Sequence, residues 1–493
     1  MKKLCLLYVG VFLLLSAQAQ SPWAQKEYSN WYFGEHNLLT FDIKNSTQSL
    51  QLFPKGNVWR HGAYESCSSV SDSVGNLLFA TNGIYVFDAN GDTMQGGNGT
   101  LLAGDEDGGN RGSSSQGAVT VKHPLNDSLY YVFTTDDAIS STTNGFNYAL
   151  INIKANKGLG AVIKIQRLKR GTSLYRSTEQ CAATLHANGV DIWIVTHESD
   201  TKKLLAYLLT ANGILDEALP VVSEIAFPVK AKSDNERSSL AFSWDGKIAC
   251  ATTHLGGGNW HPSLGVQFMS FDNTTGVFSH LTGIQNVNNM LNECRDIVFS
   301  PNGNRLYLSS TTQGRISQFD ISTVNDSAKI SASRIDYPIT NSTWTSIKLG
   351  PDGRIYIIAG GSRNIHRFNG DVEGSVLSVD KNVIVVPGSS VGFGFPSMYA
   401  PRTMNLPLSV VKEQRQDFFS LYPNPVNDQI NVRINGVGAE KFYLYDLVGK
   451  QIYRNENVFT TASVDCLSIE NGIYFAVILA NGTIQKQKIV IQH

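Results

Sequence analysis

Charge is scarce in this chain of 493 residues: Asp, Glu, Lys and Arg together make up 16% of it, well below the quarter or so of an average globular protein. Ser, Thr, Asn, Gln and Gly must therefore cover the surface, which suits exposed strands and turns better than helices. The formal net charge is only −1, so no global field draws the chain to nucleic acid or to anionic lipid. Cysteine is sparse, with six residues spaced too widely for a zinc cluster of the CxxC type. Apolar runs of membrane-spanning length are lacking, and sustained helical periodicity is rare. Also missing are a Ser nucleophile elbow, a paired-His metal helix and a phosphate-cradling glycine loop. A transmembrane protein, a nucleic-acid binder and the commoner enzyme classes are thereby disfavoured, and no catalytic residue is assigned.

The first segment that is present is an N-terminal processing signal. Lys2 and Lys3 precede an apolar stretch from Leu4 to Leu15, and Ala17-Gln18-Ala19 gives the small-x-small cleavage pattern. That stretch is shorter than the roughly 20 residues needed to cross a bilayer. Cys5 lies before the apolar core and is not an acylation site. Residues 1–19 are thus read as a signal peptide, with a mature chain beginning near Gln20. Export implies an oxidising compartment. Cys67, Cys181, Cys250, Cys294 and Cys466 remain, an odd number that leaves at least one thiol free. They are read as small buried apolar side chains, with a disulfide framework as the alternative.

Between residues 20 and 400 the dominant period is two. Short runs such as Asp191-Ile192-Trp193-Ile194-Val195 and Leu306-Tyr307-Leu308-Ser309 are bounded by turn residues. A turn of the Pro-Asx-Gly type recurs at about 50- to 62-residue intervals, in Ser71 to Gly75, His186-Ala187-Asn188-Gly189, Ser243-Trp244-Asp245-Gly246, Ser300-Pro301-Asn302-Gly303 and Gly350-Pro351-Asp352-Gly353. A degenerate copy is His123-Pro124-Leu125-Asn126-Asp127. Asn-Gly and Asp-Gly supply the positive φ of a tight turn, and the interval holds one four-stranded unit. The fold class expected is all-β, a β-propeller followed by a small C-terminal β-sandwich. Six turns are visible. Strand material at Asn30 to Asp42 is expected to join segments near Val383–Val386 and Gly392–Met398 in a composite seventh blade. Seven blades is the count, with six and eight as alternatives.

Four acids stand ten positions before the turn glycines: Glu65, Glu179, Glu236 and Glu293, with Thr343 at the same offset from Gly353. On the strand lining a channel they would form a partial ring at one mouth, with Arg237 and Arg295 beside them. One reading is a polar site for a hard cation or a hydroxyl-rich ligand such as a sugar; the other is that each Glu pairs with Arg or backbone amides and keeps the blades in register. Asp105-Glu106-Asp107, in a Gly-rich loop, is the one place considered for structural calcium; no cofactor is otherwise expected. The insertion with His254, Gly256-Gly257-Gly258, Trp260 and His261 is read as a self-packed loop or a ligand-facing one, and the basic run Lys164, Arg167, Lys169, Arg170 and Arg176 as a charged edge strand. His123, His186 and His197 have no spacing that suggests a shared metal.

Asn30-Trp31-Tyr32-Phe33-Gly34, Ser71 to Phe79 with Gly83-Ile84-Tyr85-Val86-Phe87, and His186 to Gly189 with Trp193 and Thr196-His197 resemble the propeller (WD40-like) modules in large surface proteins of gliding, type IX-secreting bacteria. The resemblance runs over roughly residues 29 to 400. It implies a propeller and a surface setting, with no activity to carry over.

Residues 401–417 read as a linker of Pro-containing and then charged sequence, leading to a module at 418–493. Tyr422-Pro423-Asn424-Pro425, alternating strands, Asn471-Gly472-Ile473-Tyr474 and a terminal strand with Lys488 resemble the type A sorting domain of the type IX secretion system. Pro423, Asn424, Pro425, Gly472 and Lys488 carry that likeness. It implies passage across the outer membrane through the type IX machinery, then release or surface attachment. The expectation is an exported, noncatalytic binding or adhesion protein with a glycan or protein ligand. The alternative is a secreted polysaccharide-active hydrolase or lyase with its site at the channel mouth.

Overall fold

The computed structural model describes residues 26–42, 47–53, 62–65, 67–99, 112–135, 137, 144–224, 239–252, 266–284, 294–310, 314–339, 344–374, 377–397, 399, 419–434, 441–446, 451–455, 461–480 and 483–493. Residues 1–19, read above as a signal peptide, lie outside them. The chain forms two compact units, Met1–Met404 and Asn405–His493. Among the described residues the only helical pieces are Lys26–Tyr28, Asn156–Gly158 and Ser327–Ala332; the rest of the regular structure is strand.

Among the described residues of the first unit, seven antiparallel sheets follow one another along the sequence. Their first strands are Asn30–Phe33, Ser68–Ser71, Val119–Lys122, Ser177–Leu185, Leu240–Phe242, Cys294–Phe299 and Thr345–Leu349. Within each sheet the strands pair chiefly in chain order, as hairpins dictate. The turn after the first strand of sheets two to seven has the same geometry. The fourth residue donates its N–H to the first carbonyl, as in Gly75 to Asp72 (3.0 Å), Gly189 to His186 (2.9 Å) and Gly303 to Ser300 (2.9 Å). Gly189 and Gly303 sit at φ of 75° and 73°, the left-handed region that makes glycine the favoured residue.

Successive sheets are joined by apolar clusters. Ile192–Glu198, in sheet four, is buried along its whole length. Its Ile192 and Ile194 pack toward sheet three, while Trp193 and Val195 pack toward sheet five. A strand buried on both faces needs an unbroken apolar run rather than strict alternation, which is the run seen in the sequence. Similar clusters join sheets two and three, five and six, and six and seven. Sheet one shares its cluster with both sheet two and sheet seven: Tyr32 packs against Phe87 of sheet two, ring centres 5.9 Å apart, and Trp31 against Tyr356 of sheet seven, 5.8 Å apart.

The composite seventh sheet does not form as expected. Asn30–Phe33, Asn37–Asp42 and Thr47–Leu52 make a sheet of their own, while Val383 and Val385 belong to Ser378–Val385, the last strand of sheet seven. The following segment is not a ladder strand but a latch. Glu35 donates its N–H to Ser390 O (3.1 Å), Phe393 to Tyr64 O (2.7 Å), Ser397 to Cys67 O (2.8 Å) and Tyr399 to Thr120 O (3.2 Å). It thus runs from sheet seven past sheet one onto sheets two and three. Its approach is too close for a side chain at Gly394, where a Cβ would lie 2.1 Å from Glu65 O.

The second unit has two sheets, one of Phe419–Tyr422, Gln429–Ile434 and Thr461–Asp465, the other of Lys441–Tyr445, Gln451–Asn455, Gly472–Ala480 and Thr483–Ile491. Ile430, Val432, Phe442, Leu444, Ala476, Ile478 and Ile489 form one core shared by the two sheets.

Candidate functional site

The acids expected at the channel mouth divide into two described residues and two outside the described set. Glu236 and Glu293, with Arg237, are among the latter. Glu65, just before the first strand of sheet two, meets Arg295 of sheet six through both carboxylate oxygens, Nη1 to Oε1 at 3.3 Å and Nη2 to Oε2 at 3.1 Å. Sheets two and six are not successive, so the pair spans the interior of the unit. Arg295 is 3% exposed, and its guanidinium lies 5.5 Å from the Trp344 ring centre. Burial opposes its charge, yet Glu65, Asp296 and Glu179 together hold its pKa above the ordinary value. Glu179 is fully buried and its Oε2 accepts from the Ser115 backbone N–H (2.7 Å) and hydroxyl (2.8 Å). Glu65, Glu179 and Arg295 are thus brought into one electrostatic neighbourhood, already furnished with partners.

Sequence reasoning missed Gln116. It stands ten positions before Asn126, the fourth residue of the degenerate turn, and so occupies in sheet three the place that Glu65 and Glu179 hold elsewhere. Its Oε1 accepts from Cys181 N (3.1 Å) and Leu240 N (2.8 Å), and its Nε2 donates to Leu240 O (3.0 Å). One amide therefore ties the first strands of sheets four and five together. The signal was present in the offset; the missing turn glycine hid it.

Farther along the same first strands, toward the turns, the unit has an open-mouthed cavity of about 230 Å³. Tyr28, Trp31, Phe242, Trp244, Phe299 and Tyr399 supply its aromatic wall, and the first strands of sheets four to seven supply most of the remainder. Lys348 is the single charged side chain in the wall. Burial lowers its pKa, against the opposing pull of Asp296 and Cys67. Asp296 carries a carboxyl raised by burial, and its Oδ2 accepts from Ile347 N at 3.0 Å.

The other expectations scatter. Asp105-Glu106-Asp107 and the insertion with His254, Trp260 and His261 lie outside the described residues. Among the described residues no group of three or more His, Cys, Asp or Glu is placed to hold a metal ion. His197 is buried with Nε2 at 3.0 Å from Thr201 O, and burial pushes its pKa down to about 4. His186 instead meets Thr274 O (3.1 Å), and His123 stacks on Tyr131. Lys164 lies on Ala161–Arg167, an edge strand, and pairs with Glu217 at 2.8 Å. The five described cysteines are buried and unpaired with one another.

In the second unit Asn424 Nδ2 donates to Lys488 O (3.0 Å), and Val490 N donates to Asn424 Oδ1 (2.9 Å). The side chain between Pro423 and Pro425 thus acts as a short strand partner for the terminal strand. Gly472 pairs with Ile491 in that same ladder.

Residues 420–492 match the model of the secretion system C-terminal sorting domain. The match supports type IX secretion and indicates export to the cell surface or the medium. Among the described residues no helix is long and apolar enough to cross a membrane. No curated protein matches the chain. Among solved structures it is similar to a protein of Bacteroides uniformis assigned as a 6-phosphogluconolactonase, at 14% identity and a TM-score of 0.45, covering 74% of this chain and 99% of that one. A Lactobacillus plantarum protein matches at 14% identity and 0.44, covering 75% and 98%. PorZ, a surface component of the type IX secretion system of Porphyromonas gingivalis, matches at 9% and 0.21, covering 94% and 85%. At such scores the likenesses say nothing of activity.

Proposed function

We propose that the chain is an exported, noncatalytic binding or adhesion protein, carried across the outer membrane by the type IX machinery. In this reading residues 20–400 are a seven-bladed, WD40-like β-propeller and residues 418–493 the address. The observation that carries it is the sorting-domain match over 420–492: with the last module reserved for delivery, the first unit is left to act outside the cell. The propeller is supported by the seven successive sheets and by the cluster that sheet one shares with sheets two and seven. Pro423, Asn424, Pro425, Gly472 and Lys488 are the residues through which the module would be read.

The place of binding moves in this reading from the acids to the cavity. A glycoside hydrolase would need a carboxylic acid and a second carboxylate turned toward substrate. Glu65 and Glu179 instead engage Arg295 and Ser115. The test is a melting screen of the secreted chain against glycans, peptides and small acids, with an assay for new reducing ends on polysaccharides. A rise in Tm without turnover supports binding; polysaccharide cleavage would replace it with the enzyme reading.

A further inference from the structure

We propose that the axial cavity of the first unit takes a small aromatic or apolar molecule bearing one carboxylate, with Lys348 as its counter-charge. This rests on the binding reading above and narrows it to a ligand class. The lining includes one cationic residue and no carboxylate, and six aromatic residues among it give the cavity an apolar character suited to a flat apolar body. Two other polar side chains in the wall are committed elsewhere. Gln116 uses its amide oxygen twice and its nitrogen once on the backbone of Cys181 and Leu240, and the Tyr28 hydroxyl donates to Tyr399 O. A neutral sugar, which needs many hydrogen-bonding partners at once, is poorly served by such a wall.

Among the described residues no hydrogen bond or ion pair reaches the Lys348 ammonium. Asp296, which acts on it through space, is held to the backbone of Ile347. A cation in apolar surroundings is costly until an opposite charge arrives, and the same surroundings strengthen the attraction once it does. The burial that lowers the Lys348 pKa acts in the same sense: a bound carboxylate would raise it again, so binding should take up protons at alkaline pH. At about 230 Å³ the cavity is below the usual size of drug-binding clefts, which limits the ligand to on the order of ten to fifteen non-hydrogen atoms.

The experiment is calorimetric titration of the full secreted chain with phenylacetate, 3-phenylpropionate and indole-3-acetate, each beside its neutral amide. At least one acid should saturate the chain, with its amide bound at least about tenfold more weakly. Lys348→Met should lose a similar factor for the acid, while Lys348→Arg should stay within a few-fold of the parent. An amide bound as tightly as its acid would overturn the proposal, and so would unchanged acid binding by Lys348→Met. Absence of saturable binding by all three acids below about 1 mM would also overturn it; the amide comparison needs no variant to fold. If glycans or peptides raise the Tm while the acids do not bind, this inference falls and the binding reading stands. If nothing of any class binds, both fall.

Discussion

Glu65 and Arg295 meet across 230 residues of sequence, and their pairing shows what a shared offset in a sequence does and does not reveal. Glu65 and Glu179, the two acids of the offset that are described, lie near the starts of first strands, and the turn glycines at positive φ that mark the offset are legible as residues. Which partner each acid would find was not legible, since Arg295 comes from a non-successive sheet. Breaking such a pair deprives the buried Arg295 of its direct ion-pair partner. Glu65→Gln should cost about 3–5 kcal/mol in urea unfolding, while Glu65→Gln with Arg295→Met should recover most of it. Equal losses in the single and double variants would mean that the pair does not couple. His197 gives a pH signature. Its imidazole stays neutral in the fold down to about pH 4, whereas an unfolded chain protonates it below its usual 6.5. Stability from this group is therefore complete above pH 6.5 and is lost as pH falls toward 4. The loss is at most ~3 kcal/mol. His197→Gln should flatten unfolding free energy across that window; an unchanged slope would assign the pH dependence to other groups.

At the scale of elements, periodicity two and the turn spelling made the strands readable, and the apolar runs follow from burial on both faces. The latch was not readable as such. Residues 388–397 lie against sheets one and two through single backbone bonds and glycine approaches, a contact with no period. The sequence therefore suggested a ladder strand in a shared sheet, where the chain instead finishes sheet seven and crosses over. Gly394→Ala tests this account, because the new Cβ would meet the Glu65 carbonyl at 2.1 Å. The expected result is a loss of about 1–3 kcal/mol, with faster amide exchange at Ser397 and Tyr399, which donate to Cys67 and Thr120. Unchanged melting and exchange would show that the latch tolerates a side chain there.

For the whole molecule, delivery was more legible than action. The sorting module declares itself through Pro423-Asn424-Pro425 and its terminal strand, and the structure supplies a physical link, the Asn424 side chain bonded to the backbone at Lys488 and Val490. The cavity was invisible beforehand because strands and turns far apart in sequence each contribute a few residues, none unusual alone. Lys348 in particular sits in an ordinary strand, Thr345–Leu349, and only the assembled wall isolates its charge. The account as a whole turns on the second unit acting as an address for the first. The direct measurement is fractionation of cells expressing the full chain and a chain ending at residue 417. The account predicts the full chain at the surface or in the medium and the shortened chain, folded, in the periplasm. A shortened chain that still reaches the surface or the medium would contradict it.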